Sequence, residues 1–344
     1  MKKYLLLLLL PSLFLYGQTP KINTTQSSID SRNRALPSPV SDSAKKSAKS
    51  KSSDVKSSDT GAQRPLLLKK SGFSANFGYD SNIAYKQNPL GAPGLLDQQA
   101  DAVWVNKFHG NAKLGVYDLD STVLTPFIGG AWAMTDYTYK NANEAIPDLS
   151  VLNHNTTIAY LLFLLQHESG WAFRAGVMYT NDRSTEHDTE EYKEFYPSVG
   201  ATKAYTLGDN LLGILDASFG AHYGDIADAD GPTSNSHTSD ELDHIDATLG
   251  YSVIYSLDSF SVTPGYSVSY RKYDNGFNFD RSDILHNISI NVKYPISESF
   301  ELSLNSNYSK RVSDGKDEAG DSYSTLYDFK KFDVGAGLSL TASF

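Results

Sequence analysis

The sequence has no cysteine in its 344 residues. That excludes disulfide staples, thiol chemistry and a lipid-modified N-terminal cysteine, and it suits a cell-envelope protein stabilised by other means. It also has no internal apolar run of about 18 residues, which excludes a membrane protein built of helices. Basic residues are in deficit: 30 Lys and Arg stand against 40 Asp and Glu, a formal charge of -10. Such a balance argues against nucleic acid as a partner. The mean hydropathy of -0.37 leaves a membrane open. Strands that alternate in polarity cross a bilayer without ever building an apolar run.

What the chain does have is tyrosine and phenylalanine, 22 and 16 of them. Their number suits aromatic girdles at two membrane interfaces. It also has a strict period of two at its C-terminal end. Phe332, Val334, Ala336, Leu338, Leu340, Ala342 and Phe344 fall on one face of an extended strand, and Lys331, Asp333, Gly335, Gly337, Ser339, Thr341 and Ser343 on the other. One face therefore meets an apolar medium and the other a polar one.

Residues 1–17 read as a secretory signal. Lys2 and Lys3 precede an apolar core from Tyr4 to Tyr16, interrupted by Pro11, with Gly17 as a small residue at a cleavage point. Residues 18–71 are a basic, Ser- and Lys-rich segment without aromatics. It is expected to be a disordered periplasmic tail, because it has too little apolar surface to offset its ordering entropy. Residues 72–344 carry the alternation. About 275 residues, at roughly 20–25 per strand and connection, predict about twelve strands. They are expected near 73–85, 102–117, 121–139, 153–166, 171–180, 192–207, 211–223, 244–255, 260–273, 284–294, 300–310 and 329–344. The second, third, fourth and sixth have mixed faces. Connections alternate short and long without exception, so all the long polar loops lie at one end. An open sheet edge in hydrocarbon would leave backbone groups unpaired, so the sheet must close.

These features resemble the bacterial outer-membrane β-barrel superfamily over residues 72–344. The resemblance implies an all-β, transmembrane, antiparallel up-and-down barrel of about twelve strands with both termini periplasmic. It implies outer-membrane lipid and lipopolysaccharide as surroundings. Phe344 looks like the C-terminal aromatic that the barrel assembly machinery reads, which makes that machinery an expected partner. Gly78 to Asn82 is similar to the opening of barrels in surface lipoprotein assembly modifiers. The tetratricopeptide repeats of those proteins are missing, so lipoprotein export does not carry over. A C-terminal barrel of this size also looks like an autotransporter translocator, but the tail is short and repeat-free for a passenger.

For function, the inward charges matter most. Lys107, Lys113, Arg174, Arg271, Lys293 and Arg311 are expected to face the lumen with Asp216, Asp246 and Glu301; Lys331, Asp80 and Asp333 share that face. Opposed charges steer ions or a small polar solute through a narrow pore, and equally they pair across a filled lumen. A porin-like passive channel is the first expectation and a filled surface-interaction barrel the second. No residue set is assigned to a cofactor or a metal. Asp228 to Gly231 hints at a calcium turn but lacks the remaining ligand spacing. An outer-membrane lipid hydrolase is a lesser alternative. His154 has Asn155 and Thr156 after it where the resembling phospholipase has a serine, and His244 with Asp246 reads as a polar lumen pair, so no catalytic residue is expected.

Overall fold

The computed structural model describes residues 73–89, 100–138, 149–185, 188, 190–226, 242–275, 278–317 and 320–344. The signal, the tail and the Asp228 to Gly231 turn lie outside them. Thirteen strands follow one another: β1 (Ser74–Gln87), β2 (Ala100–Lys113), β3 (Tyr117–Leu119), β4 (Thr122–Tyr137), β5 (His154–His167), β6 (Trp171–Ser184), β7 (Glu190–Gly208), β8 (Leu211–Ile226), β9 (His244–Ser256), β10 (Ser261–Tyr273), β11 (Ser282–Pro295), β12 (Phe300–Asp314) and β13 (Phe329–Ser343). Each pairs antiparallel with its neighbours, and β1 pairs with both β2 and β13, so the sheet closes. The short β3 continues the line of β2 along β4, which leaves twelve positions around the barrel.

Prolines explain the local gaps in the ladder. The Leu114 amide donates to the Pro126 carbonyl at 2.9 Å, but Pro126 has no N–H to return. The ladder opens there, between β2 and β3. Pro197 in β7 and Pro264 in β10 sit at similar breaks. The seam closes at the other extreme of the chain. Phe344 and Ala75 exchange backbone hydrogen bonds of 2.9 and 3.1 Å, and Phe77 meets the Phe344 ring edge-on at 6.2 Å.

Alternate residues point outward and inward. Phe77, Ile128, Phe163, Phe219, Leu249, Ile288 and Leu304 are among the large apolar side chains exposed on the outside. Outside the proline breaks and bulges the wall is one continuous antiparallel ladder, which keeps backbone polar groups paired. This is a closed antiparallel barrel with an apolar outer face. One end carries tight turns, such as that at Asp120 (φ 53°) and that at Gly170 (φ 83°). The other carries the long loops.

Several expected boundaries move. β2 stops at Lys113 rather than 117, with β3 beginning only at Tyr117; β6 runs to Ser184 rather than to residue 180, β8 to Ile226 rather than 223, and β12 to Asp314 rather than 310. The residues added to β6, Asn181 to Ser184, are polar on both faces, which removes the alternation. They hold because the inner ones bond within the wall, as Thr156 Oγ1 does to Asp182 Oδ1 at 2.7 Å. The loop expected over residues 313–328 contains a bridge between Lys316 and Ser322 and one helical turn, Tyr323–Tyr327.

Candidate functional site in the barrel lumen

The lumen has two halves of different character. In the turn-side half, oppositely charged neighbours bind each other. Lys107 Nζ lies 2.8 Å from Asp80 Oδ2, with His109 Nε2 at 3.4 Å from the same oxygen. Lys107 and Asp80 are directly opposed in the β1–β2 register. Arg174 forks onto Asp216 with bonds of 2.6 and 2.8 Å, and Thr202 Oγ1 donates to Asp216 Oδ2 at 2.5 Å. The guanidinium lies flat over Gly200, where a Cβ would stand 2.6 Å from Arg174 Cζ. Lys293 Nζ reaches Glu301 Oε1 at 2.8 Å. The side chains of these pairs are 21–47% exposed. Water therefore enters this half, and the pairs contribute little to stability. Lys113 shares the inner face beside Phe127, and no carboxylate among the described residues lies within ion-pair distance of it.

In the loop-side half the inner face is buried. His222, His244 and Tyr273 are directly opposed on β8, β9 and β10, and their rings stack with Tyr196 of β7. Centroid spacings run 4.0 Å from Tyr196 to His222, 4.1 Å on to His244 and 4.7 Å on to Tyr273. Tyr196 lies over Gly220, the one residue type that leaves room there: a Cβ would meet the ring at 2.3 Å. Two carboxylates flank His222, with Glu194 Oε2 at 3.2 Å from Nδ1 and Asp246 Oδ1 at 3.4 Å from Nε2. Tyr192 donates to Glu194 at 2.5 Å and Tyr196 to Asp246 at 3.2 Å.

The stack continues through cations. Arg281 packs between the Tyr273 ring at 4.6 Å and the Tyr327 ring at 3.6 Å. It forks onto Asp283 with bonds of 2.8 and 2.5 Å and donates to Asn278 Oδ1 at 2.9 Å. Arg311 donates from Nε to the Tyr327 carbonyl at 2.7 Å and lies 4.4 Å over Phe329. Tyr192, Leu242, Tyr323 and Tyr327 form one buried cluster that draws loop residues into the lumen. The ionic side chains here are 0–8% exposed. The contrast with the other half predicts an accessibility experiment that the absence of native cysteine makes clean. Asn291→Cys in the turn-side half should react with a water-soluble thiol reagent at least about tenfold faster than Ser309→Cys, because exposure controls thiol reactivity. Equal rates would remove the division of the lumen into two halves.

The nine charged residues singled out in the sequence fall on the inner face by register. Lys107, Arg174, Asp216, Lys293 and Glu301 join turn-side pairs. Asp246, Arg271 and Arg311 belong to the buried half, with Arg271 between Asp246 and Asp283 in the ladder. Phe344 ends the closing strand, 79% exposed. His154 faces inward, with Nδ1 2.7 Å from the Leu152 carbonyl. His244 Nδ1 contacts the Leu242 carbonyl at 2.7 Å, and the carboxylate of Asp246 turns to His222 instead. The expected His244–Asp246 pair is thus replaced by a pair across two strands, because the two imidazoles stack face to face. Several residues of the site carried no expectation as lumen groups, among them Glu194, Arg281, Asp283 and four tyrosines, Tyr192, Tyr196, Tyr273 and Tyr327. Strand parity could have found Tyr273, which follows Arg271 by two; Tyr192, Glu194 and Tyr196 lie on a strand whose faces are mixed in the sequence.

No family model matches the chain, and no curated protein does either. Solved structures similar to it are barrels. An outer membrane channel from Pseudomonas putida F1 is 12% identical with a TM-score of 0.46, over 83% of this chain and 100% of that one. The translocator domain of the autotransporter NalP from Neisseria meningitidis is 12% identical with a TM-score of 0.43, over 92% and 96%. An anion-selective porin from Comamonas acidovorans is 10% identical with a TM-score of 0.38, over 79% and 100%. The likeness is one of architecture.

Proposed function

We propose that the chain is an outer-membrane channel for small polar solutes that rests shut. Its turn-side half is a wet vestibule and its loop-side half a closed gate of stacked rings and ion pairs. The carrying observation is the contrast in exposure along one inner face, 21–47% in the vestibule and 0–8% at the gate. In this reading the turns and both ends of the barrel segment face the periplasm and the long loops face outward. Phe344, at the seam, is the residue presented to the assembly machinery, and no residue has a catalytic role. The test is planar-bilayer recording of the refolded chain at several salt concentrations. Rare, brief steps that scale with salt support a shut channel; steady conduction overturns it.

The vestibule pairs neutralise one another, so they do not set selectivity. Lys113 does, as the vestibule lysine without a carboxylate neighbour among the described residues. Lys113→Glu should move the reversal potential in a salt gradient toward cations more than Arg174→Glu does. An equal or smaller shift would return selectivity to the pairs. A second reading, a permanently filled barrel acting through its loops, is favoured by the complete burial of Arg281 and Asp283.

A further inference from the structure

The outer face of β11, β12 and β13 carries an unusual row. His286 is directly opposite Lys310, and Lys310 is directly opposite Lys330. All three point away from the lumen, near the loop end of the barrel. Like charges placed directly opposite on neighbouring strands repel and destabilise a sheet. Other outward basic residues near this end are neutralised: Arg183 by Asp188, Lys193 by Glu190 and Asp225, and Lys272 by Asp280. Lys310 and Lys330 are exposed, and among the described residues no carboxylate lies within ion-pair distance of either. Below them the wall is aromatic and apolar, with Tyr308, Phe332, Tyr266 and Ile288 exposed. The Tyr266 hydroxyl lies 2.8 Å from His286 Nδ1. With the tyrosine donating, Nε2 carries the ring proton and adds a third donor to the row.

We propose that His286, Lys310 and Lys330 form a site for the phosphate of an anionic membrane-lipid headgroup, whose acyl chains lie on the apolar wall below. The charge complement is direct: two ammonium groups and an imidazole N–H converge on one lipid-facing patch that lacks a protein anion among the described residues. A phosphate there offers several acceptor oxygens and relieves the Lys310–Lys330 repulsion. The outer leaflet as the source rests on the orientation given above; the phosphate chemistry does not.

Native mass spectrometry of the refolded full chain, released from nanodiscs, tests this. The probes are doubly phosphorylated lipid A and its enzymatically dephosphorylated form. Expected is retention of the phosphorylated lipid at least about tenfold above the dephosphorylated one, falling to the lower level in Lys310→Ala/Lys330→Ala. Equal retention by variant and wild type overturns the site. Displacement of the lipid by millimolar inorganic phosphate overturns its assignment to a lipid. Both lysines are exposed, so the variant folds, as heat-modifiable gel migration will report. In neutral detergent, without anionic lipid, the variant should melt no lower than wild type. A lower melting point would mean the lysines stabilise the wall by themselves, and would also overturn the proposal.

Discussion

Asp283→Asn should cost about 3–5 kcal/mol of stability, the penalty for leaving a buried charge without its partner. Arg281 and Asp283 have side-chain exposures of 0% each. The guanidinium cannot shed its proton, so the asparagine variant confines a cation against Asn278 and the faces of Tyr273 and Tyr327. Those ring contacts soften the loss but do not replace two charge-assisted hydrogen bonds. The site cannot simply flood, because Asn278, Tyr323 and Phe329 are buried around it. Urea titration of the barrel refolded in vesicles measures the effect. A variant within about 1 kcal/mol of wild type would mean that water reaches Arg281 and that the pair behaves as an exposed one. A second substitution separates the charge from the packing. Arg281→Met with Asp283→Leu removes both ions while keeping volume, and it should recover most of the loss, because replacing a whole buried pair is often neutral.

This pair also marks the limit of what the sequence makes legible. Period-two alternation exposes the barrel wherever one face is apolar and the other is not. Residues 329–344 do so without interruption, and β8 and β9 nearly so. β5 does not. Ile158, Leu162 and Leu164 point inward while Leu161, Phe163 and Leu165 point outward, so the inner wall is apolar and the period vanishes. Ile158 packs there against Met178 and Tyr196, a small core inside the lumen. The far end of β6 fails for the opposite reason, being polar on both faces. Arg281 and Asp283 are two apart, but the alternation begins only at 284, so the sequence leaves both in the preceding connection. What it hides is which residues of different strands lie in one row. The His222, His244 and Tyr273 stack depends on two registers, each set across a loop or a turn, and a slip of one residue in either would turn a ring outward. Abundant tyrosine reads first as interfacial girdle, and Tyr266, Tyr270 and Tyr308 do stand outside. Tyr192, Tyr196 and Tyr273 go inward instead, because neighbouring glycines or flat rings leave room for them.

If the loop-side half is a gate, Tyr323→Ala/Tyr327→Ala should turn a barrel that opens only rarely into a steadily conducting one. Both rings are buried, 1% and 4% exposed, in the cluster with Tyr192 and Leu242 that holds loop residues in the lumen. Tyr327 also covers Arg281 and lies beside Arg311. Truncating a buried aromatic typically costs about 3–5 kcal/mol. Moving a two-state equilibrium from about 1% to 99% open needs about 5.5 kcal/mol. Two such truncations are therefore enough to invert the gate if they act on its shut state alone. The barrel itself should survive, because its closure depends on the β1–β13 seam and not on the loops. The loss also lets water reach Arg281 and Arg311, whose charges would then line the new opening. Tyr308→Ala, on the outer face of the same strand pair, is the control and should conduct as rarely as wild type. Steady conduction proportional to salt in the double variant alone would establish the gate. A folded double variant that conducts no more than wild type would mean the lumen is filled by more than this cluster, and the barrel would then act through its outer surface and loops.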